Sequence, residues 1–123
     1  MYTPLAELRN ARYISLTTFR RDGSAASTPV WVVSDDGRRL LVWTGAKTWK
    51  ARRIARDSRV LVAACGARGR ERGPRLAGTA RIVREPAIDE LLRGKYGWQK
   101  RLLDRVNRGG PGNWVTIEIV APS

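Results

Sequence analysis

Two hydroxyls and three cations fall close together where Trp43-Thr44 is followed by Thr48-Trp49-Lys50 and then Arg52-Arg53. A strand that ends in a hydroxyl, followed by a helix that begins with another, offers free backbone amides beside positive charge. Those are the elements of a phosphate site. The same residues also read as a capped surface helix with solvated basic side chains, and spacing alone favours that plainer reading. A second feature is Ser27-Thr28-Pro29-Val30-Trp31. Proline inside a strand removes a ladder donor, so it marks an edge or a place where something else lies against the backbone. An edge strand is the simpler of the two.

Other chemistry is excluded by composition. The chain has no histidine, which removes Ser-His-Asp and Cys-His catalysis and the usual His-based metal sites. One cysteine, Cys65, allows neither an internal disulfide nor a Cys-rich zinc site. It ends an apolar run and reads as a small hydrophobe. Asp89 and Glu90 are adjacent, so they do not face each other as an acid/base pair. Early in a helix, they compensate its dipole. No catalytic side chain and no metal ligand is assigned, and any reaction must borrow a cofactor.

The elements that position these residues follow from local patterns. Thr3-Pro4 starts a helix over Leu5 to Asn10. Tyr13 to Phe19 is a strand, Asp22-Gly23 a turn, and Ala25 to Val33 the returning strand. Asp35-Asp36-Gly37 turns into Leu40 to Thr44, which completes a three-strand antiparallel meander. Lys47 to Arg56 is helical, and Asp57-Ser58 ends it. Val60 to Cys65 is a strand buried on both faces, and Gly66 to Pro74 is a loop. Leu76 to Val83 is a strand in which Gly78 marks a bulge or a close backbone approach. Glu85-Pro86 opens a helix through Leu92, stopped by Gly94. Trp98 to Asn107 is a second helix with Trp98, Leu102, Leu103 and Val106 on one face. After a flexible Arg108 to Gly112, Trp114 to Val120 is the last strand. Strands joined by short turns around one helical crossover point to a small closed barrel.

The 123 residues, with 42% hydrophobic and 28% charged side chains, suit a single globular domain spanning 1–123. The longest apolar run, Val60 to Cys65, is too short to span a bilayer. Arg9, Arg12, Arg20 and Arg21 break every candidate leader, so a cytoplasmic protein is expected. Lys plus Arg is 24 and Asp plus Glu is 11, a net charge of +13, and arginine supplies 20 of the cations. Such a field implies an anionic partner: nucleic acid, a membrane surface or a small polyanion.

At this point the order of several short motifs becomes specific. Leu16-Thr17-Thr18-Phe19-Arg20-Arg21-Asp22-Gly23, Ser27 to Trp31, Val42-Trp43-Thr44, Lys50 with Arg53, and Arg59-Val60 resemble the pyridoxamine-phosphate-oxidase-like split barrels. Within that group the chain looks like the deazaflavin (coenzyme F420)-dependent oxidoreductases. Gly78-Thr79-Ala80-Arg81 and Lys95-Tyr96-Gly97-Trp98 extend the likeness over nearly the whole chain. The resemblance implies a mainly β protein with a few helices, a six-stranded antiparallel split β-barrel. It also implies a homodimer with a cofactor site at each interface. Ser27, Thr28, Pro29, Val30 and Trp31 would line the ring system. Trp43, Thr44, Thr48, Trp49, Lys50 and Arg53 would hold the phosphate end, and Ala64 to Ala67 would also come near.

The implied activity is hydride transfer between reduced F420 and an electron-poor organic small molecule. Solvent or Tyr96 would supply any proton. F420 bears a phosphate and a poly-glutamate tail, so the positive surplus has a partner. The arginines of a mobile loop, Arg68, Arg70, Arg72 and Arg75, would attract the tail. FMN is the alternative cofactor. Relatives that use it place a second cation beside the lysine, where this chain has Trp49. The rival readings are a flavin oxidase or reductase of the same fold and a carrier that binds F420 without turnover. A nucleic-acid binder ranks behind them, because the common aromatic-basic single-strand motifs are absent. No membrane partner is expected.

Overall fold

The computed structural model describes residues 4–34, 38–45, 48–84, 88–100 and 114–122. Asp22-Gly23 turns the chain as its sequence dictates. Gly23 adopts φ +88°, which glycine accepts without strain. Asp22 Oδ1 accepts from the Ser24 amide at 2.9 Å and from its hydroxyl at 2.7 Å. The turn joins β1 (Tyr13–Phe19) to β2 (Ala25–Val30), with Ile14 opposite Val30 and Phe19 opposite Ala25.

The expected strand from Ala25 to Val33 is broken at Trp31. Its first part, β2, pairs with β1, and its second part, β3 (Val32–Val33), pairs with β4 (Leu40–Gly45). The expected meander is therefore split between two ladders, and there are seven strands where six were expected. The remaining strands are β5 (Arg59–Cys65), β6 (Leu76–Val83) and β7 (Trp114–Val120). All lie in one antiparallel sheet of order β2-β1-β5-β6-β7-β4-β3. Its two ends are consecutive pieces of chain, so the sheet closes on itself at Trp31. This is the mainly β split-barrel architecture.

Helical segments lie before, between and after the strands. The first is shorter than expected: α1 (Pro4–Glu7) passes into a single 3-10 turn, Leu8–Asn10. Helix α2 (Trp49–Arg56) starts later than Lys47, which lies outside the described residues. Its cap is Thr48, whose hydroxyl accepts from the Ala51 amide at 3.4 Å. Helix α3 (Ile88–Tyr96) runs through Gly94 and ends instead at Gly97, which takes φ +54° and donates to Arg93 O at 3.0 Å. A left-handed glycine after the last turn ends a helix more effectively than one inside it. Of the helix expected from Trp98 to Asn107, only Trp98 to Lys100 is described; these residues are helical, and Trp98 is exposed. Thr3, the Asp35 to Gly37 turn, Glu85-Pro86 and Arg108 to Gly112 lie outside the described residues.

Gly78 marks a close approach rather than a bulge. The β5–β6 register runs unbroken through the Val60–Gly78 pair. A Cβ at Gly78 would lie 2.9 Å from Ile119 Cγ2 and 3.3 Å from Val120 O.

Two apolar clusters explain the burial. The barrel interior gathers Ile14, Leu16, Val32, Leu40, Val42, Ile54, Val60, Val62, Ile117 and Ile119. On the other face of β4, Leu41 meets Val33, Ile88, Leu92 and Tyr96, with Trp31 and Trp43 packed against them. Helix α3 thus covers β3 and β4, which is why Leu40-Leu41-Val42 shows no alternation.

Two polar groups in this frame give testable expectations. Thr18 is 1% exposed, and its hydroxyl has no hydrogen-bond partner. An unsatisfied buried hydroxyl costs about 1–3 kcal/mol. Thr18→Val should therefore raise stability by about 1 kcal/mol in a denaturant titration, and a fall would show that the hydroxyl is satisfied. Glu118 accepts from Arg81 Nε at 2.7 Å and Arg39 Nη1 at 2.8 Å. These bonds, Arg81 first, hold its carboxyl below the ordinary 4.5. The carboxylate form is the one the fold favours, so its contribution is full above pH 4.5 and fades as pH falls through the lowered value. Glu118→Gln should lower the melting temperature at pH 7, by about 1 kcal/mol of stability. The gap should narrow steadily in acid.

Candidate functional site

The break at Trp31 and the end of β4 together form a cleft. Its volume is about 370 Å³, and its lining includes Pro29, Val30, Trp31, Trp43, Thr44, Thr48 and Lys50. One wall is Trp31, stacked at 4.3 Å on Tyr96 behind it. The other is Trp43, stacked at 4.1 Å on Trp114. The pairing of Gly45 with Trp114 in the β4–β7 ladder brings that second ring to the cleft. Behind Trp43 lies the fully buried Lys100, whose Nζ sits 4.5 Å from the Trp43 ring and 2.7 Å from Asp89 Oδ1. Asp89 thus makes specific pairs, with Arg93 as well as Lys100, beyond compensating a dipole.

The polar end of the cleft is made by Thr44, Gly45, Thr48 and Lys50. Thr48 Oγ1 donates to Gly45 O at 2.9 Å, which folds the chain tightly between β4 and α2. Lys50 is half-buried, and no carboxylate pairs with it among the described residues. Burial, then the Arg53 guanidinium, push its pKa below the usual 10.5. An anion placed at Lys50 would relieve both penalties. A slot with aromatic walls and a cation at one end suits a planar ring that bears a phosphate.

Seven of the eleven residues expected at the site line this cleft; the other four do not. Ser27 is exposed, its hydroxyl 2.6 Å from Thr17 Oγ1, and Thr28 lies beside it on β2 outside the lining. Trp49 and Arg53 turn to a second pocket of about 520 Å³, walled by Arg20, Arg21, Trp49, Arg52, Arg53 and Arg56. Helix periodicity explains the split, because adjacent residues Trp49 and Lys50 point to different sides of α2. Trp49 is 66% exposed, with Arg52 at 5.2 Å and Arg53 at 6.0 Å from its ring. Among the described residues no carboxylate lines this pocket.

Ala64 to Ala67 do not line the cleft. The loop after them leans on it, since Gly69 at φ +89° lies within 3.5 Å of Pro29 when given a Cβ. That loop is also less free than its composition suggests. Glu71 accepts from Ser15 Oγ at 3.0 Å and from Arg75 Nε at 2.8 Å, so Arg75 is held rather than mobile. Tyr96 is no proton donor to the cleft. Its ring is 2% exposed behind Trp31, its hydroxyl bonds to backbone, and burial pushes its pKa up to about 12. Cys65 is buried, and burial, then Glu71, raise its thiol pKa, so it stays an inert hydrophobe.

The model of the pyridoxamine 5'-phosphate oxidase family matches residues 5–119. This chain belongs to that family. No curated protein matches it in sequence. Solved structures resemble this family member in fold across nearly its whole length. A conserved hypothetical protein from Mycobacterium tuberculosis is 24% identical, with TM-score 0.69, covering 100% of this chain and 82% of that one. The heme storage protein from Vibrio cholerae is 12% identical, with TM-score 0.68 and coverage of 100% and 92%. A structure named F420 reductase is 17% identical, with TM-score 0.58 and coverage of 100% and 97%. Identities this low establish the shared barrel. For this family member, three further residues lining the cleft were missed: Tyr13, Gly45 and Trp114. Gly45 was the legible one, since it directly follows Thr44. Tyr13 and Trp114 come from strands distant in sequence, and only the register places them. No helix among the described residues is long and apolar enough to cross a membrane.

Proposed function

We propose that this member of the family is an oxidoreductase that binds coenzyme F420 in the cleft and moves a hydride between it and an electron-poor organic acceptor. The observation that carries this reading is the sequence of charge along α2. Lys50 stands unpaired among the described residues at the polar end of the cleft, and beyond Trp49 lies a pocket walled by five arginines and no carboxylate. FMN ends at its phosphate and leaves that pocket unused. A cofactor whose phosphate continues into a chain of carboxylates uses both. Trp49 turns out of the cleft, so Lys50 is the one cation among the described residues that line it, and the preference for F420 over FMN rests on the arginine pocket.

When bound, the deazaflavin supplies the hydride chemistry. The chain's own residues bind and orient it. Trp31 and Trp43 flank the ring and exclude water. Lys50 holds the phosphate, helped by Thr44 and by the amides at the start of α2. Tyr96, sealed behind Trp31, gives no proton to the cleft, which leaves solvent and the hydroxyls of the lining as the donors. The reading includes a homodimer whose interface completes each cleft. Sedimentation at micromolar concentration should show the dimer, and a stable monomer with normal cofactor affinity would remove that part. Turnover is tested by mixing the protein with reduced F420 and a panel of nitro, quinone and enone acceptors. Acceptor-dependent reoxidation supports an enzyme; tight binding without reoxidation makes it a carrier.

A further inference from the structure

Trp31 belongs to neither ladder, because β2 pairs with β1 as far as Val30 and β3 pairs with β4 from Val32. Strand pairing therefore does not fix its ring, although the ring is a wall of the cleft. What holds it comes from the end of α3. Tyr96 stacks on Trp31 with the planes 10° apart. The Tyr96 hydroxyl accepts from the Val32 amide at 2.9 Å and donates to Arg12 O at 2.8 Å. The preceding residue completes the tie. Lys95 Nζ donates to Val32 O at 2.6 Å, to Ala11 O at 2.6 Å and to Arg9 O at 2.8 Å. An ammonium has three protons, and three carbonyls take them.

Lys95 and Tyr96 thus grip Val32 by both its N–H and its C=O, and fasten it to the entry segment Arg9 to Arg12. A pair that merely filled the core would need neither the hydroxyl nor the ammonium. Both bond the backbone of the residue after Trp31, at the point where the barrel closes, and tie it to the carbonyls of Arg9, Ala11 and Arg12. We infer that Lys95 and Tyr96 are a positioning pair that sets the Trp31 wall, and through it the affinity for a planar ring in the cleft, without touching that ring. The inference rests on the reading that the cleft takes a ring-bearing cofactor.

Two substitutions separate positioning from packing. Tyr96→Phe keeps the stacked ring and loses the hydroxyl; Lys95→Met keeps the stem and loses the ammonium. Near-UV circular dichroism reports the Trp31 environment, assigned by difference from Trp31→Phe. Titrations with F420 and with FMN report affinity, at a temperature where far-UV circular dichroism shows each variant folded. Each variant should lose the Trp31 signal and bind the cofactor roughly tenfold more weakly, the effect of one or two lost hydrogen bonds. Lys95→Arg, which restores a multivalent cation, should recover part of both. A folded Tyr96→Phe or Lys95→Met with the parental Trp31 signal and affinity overturns the inference. If Tyr96→Phe does not fold, Lys95→Met, whose side chain is only half-buried, decides. If the parent binds neither cofactor, the functional reading fails, and the Trp31 signal alone still decides the positioning role.

Discussion

Lys50→Ala is expected to weaken F420 binding by about 1.5–3 kcal/mol, roughly tenfold to more than a hundredfold. The magnitude is that of a hydrogen bond to a charged group, and here nothing replaces it. Lys50 is the cation lining the cleft, is half-buried, and is held below its usual pKa by burial and by Arg53. Removing it leaves the phosphate facing two threonine hydroxyls and backbone amides. Because the phosphate is common to every form of the cofactor, the loss should be the same for short-tailed and long-tailed F420. It should persist at high salt, since a half-buried contact is screened little. An unchanged affinity would move the phosphate away from α2 altogether.

The second large effect concerns the arginine pocket. The triple variant Arg52→Ala, Arg53→Ala and Arg56→Ala should weaken long-tailed F420 roughly tenfold to a hundredfold at low salt, at up to about 1 kcal/mol per exposed charge. Short-tailed cofactor should lose much less, and high salt should erase most of the difference. The sequence alone suggests the opposite assignment, with Arg53 on the phosphate and the loop arginines on the tail. The structure turns Arg53 into the second pocket with Arg20, Arg21 and Arg52, and ties Arg75 to Glu71. Neutralising Arg68, Arg70 and Arg72 should therefore have the smaller effect. If the loop variant shows the tail and salt dependence and the α2 variant does not, the tail runs over the loop instead.

Much of this site can be read along the chain, and the part that cannot has a definite cause. Local chemistry announces itself: the Asp22-Gly23 turn and the strands Tyr13–Phe19, Leu76–Val83 and Trp114–Val120 lie where their residues place them, and the hydroxyl of Thr48 caps α2. Thr44, Thr48 and Lys50 form the polar end for the same reason, since they are close in sequence. Direction is the information that local pattern lacks. Trp49 and Lys50 are neighbours, yet one helical step sends them to different pockets. Ser27 and Thr28 share a strand with Pro29 and Val30 but sit further along it, beyond the cleft lining. Long-range partners are equally silent. Trp114 joins Trp43 only through the β4–β7 register. Tyr96 reads as a free phenol until α3 is seen to pack it against Trp31. The strand break at Trp31 has no turn residue to mark it; closure of the barrel imposes it.

The most direct test of the central claim is a side-by-side titration of the protein with F420, FMN and single-stranded DNA, followed by tryptophan fluorescence. Trp31, Trp43 and Trp114 all line the cleft, so a ring entering it should quench their emission. F420 should quench and saturate at the lowest concentration. FMN should follow at least tenfold higher, for want of contacts in the arginine pocket. DNA should bind weakly, with an affinity that collapses as salt rises. Equal affinity for FMN and F420 would contradict the preference argued from the arginine pocket. Tight DNA binding with no response to either cofactor would contradict the account as a whole.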